Sequence, residues 1–271
     1  MMEENEHSYL KLLNILVNVI EAGKGTPAGE DDRMLDAEGL GLKFFGHVSS
    51  ALYIYRGTNI HDINLPLNSF NDFTSLNIIA RAAFETFLVF HHIYISPSTD
   101  GEKDFKYYSW LLSGLVPRQK FYTTSQESKD LLKREGDYID FIITKLNDNK
   151  YFKALEKKQQ NKITKSGYWR LKSWKEIALS AGLHEIHAKS LYSYLSDYAH
   201  SGSLSILQWR EARSNDIRKR LMYATLGLIL IVMANFIDCY CRVFPRALDN
   251  IKKSNVDISE VKIWIEAGAK S

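Results

Sequence analysis

The chain has 271 residues, 45% hydrophobic and 25% charged, which is ordinary globular composition and enough for one large domain or a domain with an insertion. A formal net charge of +3 is too small to point to nucleic acid on its own, so any basic surface has to be found locally. The only cysteines, Cys239 and Cys241, are spaced Cys-x-Cys, which turns the two thiols of a helix apart and suits neither a disulfide nor a zinc site; together with the acidic start Met1-Met2-Glu3-Glu4-Asn5-Glu6, they argue for a reduced, cytoplasmic protein that is not exported.

In chain order, His7 to Glu21 places Leu10, Leu13, Leu16, Val17 and Ile20 at helical spacing. Gly23 to Asp32 breaks that pattern. Its Gly-Lys-Gly-Thr-Pro-Ala-Gly run lacks the spacing of a phosphate loop and reads as a connection. A second helix is expected from Asp36 to Tyr55, a polar connection from Gly57 to Asn71, and a third helix from Asp72 to Ile95. The third is apolar on nearly every face and therefore belongs at the centre of the core.

Beyond Ser96-Pro97-Ser98, Phe105 to Phe121 is aromatic and interrupted by Gly114 and Pro117. Gln126 to Gln160 is long, charged and only sparsely apolar, with Leu131, Ile139, Ile142 and Leu146 as its one apolar stripe, so it is expected to form an arm or hairpin. Ser173-Trp174-Lys175-Glu176 has the form of a capping box and starts a short helix closing at Gly182. Helices follow at Glu185 to His200, stopped by Ser201-Gly202, at Asn215 to Phe244, and more weakly at Val256 to Ala267. Leu221 to Ile237 carries no charge and follows Arg218-Lys219-Arg220, as a membrane span would. Its short length, Asn235 inside it and Asp238 and Arg242 after it favour a buried bundle helix, and no membrane partner is expected. The fold class is all-α, a multi-helix bundle built from residues 1–104 and 173–271 with a charged helical arm at 105–172.

Three pairs of polar residues, each four positions apart, lie within apolar helical patterns: Lys43/His47, Arg81/Glu85 and Ser196/His200. Each pair shares one helix face, so three helices carry polar groups toward the core, where they are expected to meet one another or a ligand. These pairs also carry a resemblance. The Lys-x-x-x-His and Arg-x-x-x-Glu helices, Trp174 with a short helix ending at Ala181-Gly182, and Tyr194-Leu195-Ser196-Asp197-Tyr198-Ala199-His200 resemble an uncharacterised, bacterial, all-helical family of unknown function, over about Asp36 to Phe244. The resemblance implies a helical bundle with polar residues gathered inside, and it implies no reaction.

Chemically, Arg81 can engage Glu85 and present its guanidinium to a phosphate. His200, at a helix end where the dipole favours its protonated form, adds an acid or base. Arg81, Glu85 and His200 are thus candidate catalytic residues, with Lys43, His47, Ser196 and Tyr198 as candidate ligand contacts. The same pairs also fit a purely structural role. No His and carboxylate spacing suggests a metal, no cofactor is indicated, and Ser196 as a nucleophile lacks an oxyanion hole. Arg56-Gly57-Thr58-Asn59-Ile60-His61 has the R-x(4–6)-H spacing of HEPN ribonucleases, but Gly57 places it in a helix end and loop. A better nucleic-acid candidate is the basic, aromatic stretch holding Lys157, Lys158, Lys162, Lys165, Tyr168, Trp169 and Arg170, whose lysines can neutralise phosphates while its aromatics stack on bases. The expected function is a bacterial, distantly HEPN-like effector of stress or anti-phage defence that binds, and can cleave, a phosphate-bearing ligand such as a nucleotide or RNA. The alternative is a non-enzymatic interaction module with a structural polar cluster and a partner protein on the charged arm. A homo-oligomer is expected on either reading.

Overall fold

The structure, a computed structural model, describes residues 2–23, 32–57, 71–253 and 257–270. Among these the chain forms helices and no strand. In order they are α1 (Met2–Gly23), α2 (Arg33–Arg56), α3 (Phe73–Phe90) running into a π-helical turn (His91–Ile95), α4 (Asp100–Arg118), α5 (Gln126–Asp148), α6 (Lys150–Lys153) and α7 (Lys157–Ser166). They continue with α8 (Trp174–Ser180), α9 (Glu185–Ala199), α10 (Ser203–Glu211), α11 (Asn215–Val243), α12 (Pro245–Lys253) and α13 (Ser259–Ala269). The helices group into two compact units, residues 92–173 and the remainder.

In the larger unit α3 and α11 are central, as their all-round apolar character predicts. Asp72 starts α3 by accepting hydrogen bonds from the backbone of Thr74 and Ser75. Phe44 of α2 stacks on Phe236 of α11 at 3.9 Å between ring centroids, and Phe90 of α3 packs on the same ring at 5.0 Å. Register between the two central helices is set by a buried hydrogen bond of 2.9 Å from the Thr225 hydroxyl to the Asn77 side-chain carbonyl. Gly41 lets α2 approach the Tyr240 ring, where a Cβ would stand 2.6 Å from a ring carbon. The stretches Phe73–Ile95 and Asn215–Val243 are both long and apolar enough to cross a membrane, and in this fold 56% and 61% of their apolar windows are buried.

The smaller unit has its own core of Phe105, Leu112, Ile142, Leu146, Phe152 and Ile163, contributed by α4, α5, α6 and α7. The stretch from Gln126 to Gln160, expected as an arm or hairpin, holds α5, α6 and the start of α7. Asn149 caps α6 by accepting from the backbone of Tyr151 and Phe152, and Glu156 with Gln159 forms the capping box of α7. Of the expected stripe, Ile142 and Leu146 are fully buried, Ile139 packs against the cluster and Leu131 is exposed. Buried Lys106 is held by Glu102 at 2.7 Å and by the Ser96 hydroxyl at 2.8 Å. Burial pushes the Glu102 carboxyl up, but Lys106 and Ser98 outweigh it and hold its pKa down at about 2.

Two helices were not expected from the sequence. In α12, Pro245 takes the first helical position, where its missing N–H costs nothing. In α10, the order of polar and apolar residues is inverted relative to the core: Ser205 is buried and Gln208 half-buried, whereas Leu204, Ile206, Leu207 and Trp209 are exposed. The Arg56 to His61 spacing lies partly outside the described residues; Arg56 itself pairs with Glu6 at 2.7 Å.

Candidate functional site

Helices α3 and α9 pack together and bring Arg81 to Glu85, His200 and Tyr192. Each nitrogen of the guanidinium is engaged: Nε donates to Glu85 Oε1 at 2.9 Å, Nη1 to His200 Nε2 at 3.2 Å and Nη2 to the Tyr192 hydroxyl at 3.0 Å. The Arg81 side chain is 15% exposed and that of Glu85 33%, so the pair lies at the edge of the core. Burial disfavours the Arg81 cation, yet Glu85 and Tyr192 outweigh it and raise its pKa. Tyr192 in turn leans on Trp174 of α8, with ring centroids 5.8 Å apart.

His200 is exposed at the end of α9, where the Arg81 guanidinium reaches its Nε2, so it lies at the surface and not within the core. A guanidinium has hydrogens to donate and no acceptor. A bond from Arg81 therefore uses a lone pair on Nε2, and the tautomer that accepts it carries its proton on Nδ1. The helix end is a Schellman cap, in which Gly202 N–H bonds to the Asp197 carbonyl at 2.7 Å and Ser201 N–H to that of Tyr198. Ser201 holds the left-handed position at φ 53°, a conformation that glycine takes without strain. Gly202 is required because a Cβ there would run into the Asp197 carboxylate, which accepts the Ser205 backbone N–H at 2.8 Å.

The remaining candidates do not join this cluster. Lys43 is exposed, and no hydrogen bond or ion pair among the described residues links it or His47 to Arg81. His47 is half-buried, its Nε2 has no partner, and burial with Lys43 nearby lowers its pKa. Lys43 stays out because its side of α2 faces solvent. Ser196 is half-buried and contributes its carbonyl to the His200 N–H. Tyr198 is buried and holds α10: its hydroxyl, whose pKa is raised by burial and by Tyr194, donates to the Gln208 side chain. Tyr192, not singled out from the sequence, is one turn before Ser196 and two before His200, so the same four-residue spacing marks it.

In the smaller unit, Lys157, Lys158, Lys162 and Lys165 are exposed on or at the ends of α7. Tyr168 is half-exposed beneath Lys162, whose Nζ lies 5.6 Å from the ring centroid. Trp169 instead packs edge-on against His92 at 5.6 Å, and Arg170 is half-buried, which removes both from the free surface. From Lys150 to Lys172 the chain has eight basic residues and one acidic residue, a surface of one sign. Among the described residues no three His, Cys, Asp or Glu side chains are grouped to hold a metal ion.

The chain matches the model of a family of unknown function, DUF5677, over residues 67–216. That stretch includes Arg81, Glu85, Tyr192 and His200. No curated protein matches the chain, and no solved structure does.

Proposed function

We propose, for a chain that belongs to the family of unknown function DUF5677, that the Arg81, Glu85 and His200 cluster receives the phosphate of a nucleotide or RNA. The observation that carries this reading is the exposed His200, whose Nε2 lies 3.2 Å from a guanidinium nitrogen of Arg81. A phosphate that takes over Arg81 Nη1 frees His200 Nε2 as a base beside a bound anion, while Glu85 keeps Nε in place. For RNA, Nε2 is then suited to take the proton of a 2′-hydroxyl, whose oxygen attacks the adjacent phosphorus as the 5′ oxygen leaves with a proton from water. Strain at Ser201, next to His200, supports a functional role for this helix end. In the smaller unit, the exposed lysines of α7 with Tyr168 are a separate surface whose chemistry suits single-stranded nucleic acid. The reading is of a cytosolic bacterial effector of stress or anti-phage response, distantly HEPN-like.

The test is fluorescence anisotropy with labelled single-stranded RNA, single-stranded DNA and nucleotides, with and without a divalent metal. His200→Ala and Glu85→Gln should abolish binding or turnover while the helical circular dichroism stays unchanged. Ligand binding that is indifferent to both substitutions, or absent throughout, sinks the reading.

A second reading, an interaction module with a structural cluster, is favoured by α10, where Ile206 is 53% and Trp209 59% exposed. On that reading Leu207→Glu blocks partner capture, and Arg81 substitutions change stability alone.

A further inference from the structure

Helix α2 uses one face in the core, through Leu40, Phe44, Val48 and Ala51, and carries a second line of apolar side chains that stays exposed among the described residues. On that face Leu35, Leu42 and Tyr53 are 52%, 55% and 75% exposed. They fall on a line with Gly39, Gly46 and Ser49 in which steps of four and three residues alternate, the glycines exposed and Ser49 half-buried with its hydroxyl turned inward, and the line continues to exposed Asp32 at one end and Arg56 at the other. This is the 3.5-residue repeat of a coiled-coil seam, not the irregular pattern of a solvated face. The two glycines have no local cause, since a Cβ at either Gly39 or Gly46 would meet nothing within 4 Å. Glycine inside a helix lowers its stability relative to alanine. Their use here indicates a surface that another backbone approaches closely.

We infer that α2 is the seat of a homodimer, packing antiparallel on α2 of a second copy about a two-fold axis. The face is complementary to itself in that sense. Setting Leu42 of one copy into the notch over Gly46 of the other brings, by the same symmetry, Leu35 against Tyr53, Gly39 against Ser49 and Asp32 against Arg56. Large side chains meet small ones at the centre, and an acid meets a base at each end. Among the described residues Arg56 gives its Nε to Glu6, and with 46% of the side chain exposed its outer nitrogens can reach a second carboxylate. A parallel pair would stack Asp32 on Asp32 and Arg56 on Arg56, which like-charge repulsion opposes. No residue of this line belongs to the Arg81 cluster, so the dimer and the phosphate reading stand or fall separately.

Sedimentation velocity of the full chain at micromolar concentration should show a dimer. Leu42→Glu, at a side chain exposed in the single copy, should weaken it about tenfold or more. Gly46→Leu should do the same while increasing helix stability, a combination that loss of folding cannot mimic. Under mild oxidation, L35C mixed with Y53C should cross-link, and neither should cross-link alone, because residues 35 and 53 lie about 27 Å apart along a helix. A monomeric wild type, a dimer unaffected by Leu42→Glu, self-cross-linking of L35C, or a dimer lost only on Leu207→Glu in α10 would each overturn the inference.

Discussion

Arg81→Met separates a half-exposed functional cluster from a buried structural one. The substitution removes three hydrogen bonds, of 2.9, 3.2 and 3.0 Å, and leaves Glu85, His200 and Tyr192 without their shared donor. Stranding a charge in a closed core costs about 3–5 kcal/mol. Here Glu85 is a third exposed and His200 lies at the surface, so water can replace the lost donor at both. An exposed i,i+4 pair contributes about 0.3–0.5 kcal/mol and a typical hydrogen bond about 0.5–1.5 kcal/mol, which puts the expected loss at about 1–2 kcal/mol. For a chain of this size that lowers the melting temperature by about 2–8 °C. Arg81→Lys keeps the charge but reaches one partner at a time, and should recover part of this loss without restoring ligand binding. The assay is thermal and urea denaturation followed by circular dichroism, run beside the RNA titration. A loss above about 3 kcal/mol, or failure to fold, refutes the half-exposed account and makes the cluster a packing device.

Other predictions follow from the same geometry. Because the folded Glu102 carboxyl titrates at about 2 against 4.5 when unperturbed, its stabilising contribution is fully present above 4.5 and is lost as the pH falls toward 2; Glu102→Gln should flatten amide-exchange protection of the smaller unit across that window. The His47 pKa is lowered by burial and by Lys43, so the unfolded chain binds its proton more readily, stability rises with pH through the window just below 6.5, and His47→Gln should reduce that slope. Gly202→Ala should displace the Asp197 carboxylate and cost about 1–3 kcal/mol, seen as faster amide exchange in α10 with α3 unaffected.

The sequence made the bundle readable where burial is symmetric. Helices such as α3 and α11 are apolar all round because they are surrounded, and no other element type accounts for such a pattern. The meeting of Arg81, Glu85 and His200 followed from four-residue spacing on helices that had to pack. The same rule misplaced Lys43, because α2 has two apolar faces and spacing alone does not say which one turns inward. The charged segment looked like a bare arm because the core partners of its stripe, Phe105, Leu112 and Ile163, come from stretches on either side of it, and Phe152 falls outside the stripe. Helix α10 was illegible for a different reason. Its polar side chains face inward, where Tyr198 holds the Gln208 side chain and Asp197 the Ser205 backbone N–H, contacts between residues whose pairing no periodicity reveals.

The central claim, that a phosphate-bearing ligand displaces Arg81 from a neutral His200, is tested most directly by nitrogen NMR of the histidine side chains during titration with short single-stranded RNA, the His200 signal being assigned with His200→Ala. The account predicts a free Nδ1-protonated tautomer, an Nε2 shift that saturates with binding, and loss of that shift in Arg81→Met. RNA that binds while the His200 nitrogens stay unmoved, or an Nε2 already protonated at neutral pH in the free protein, would contradict it.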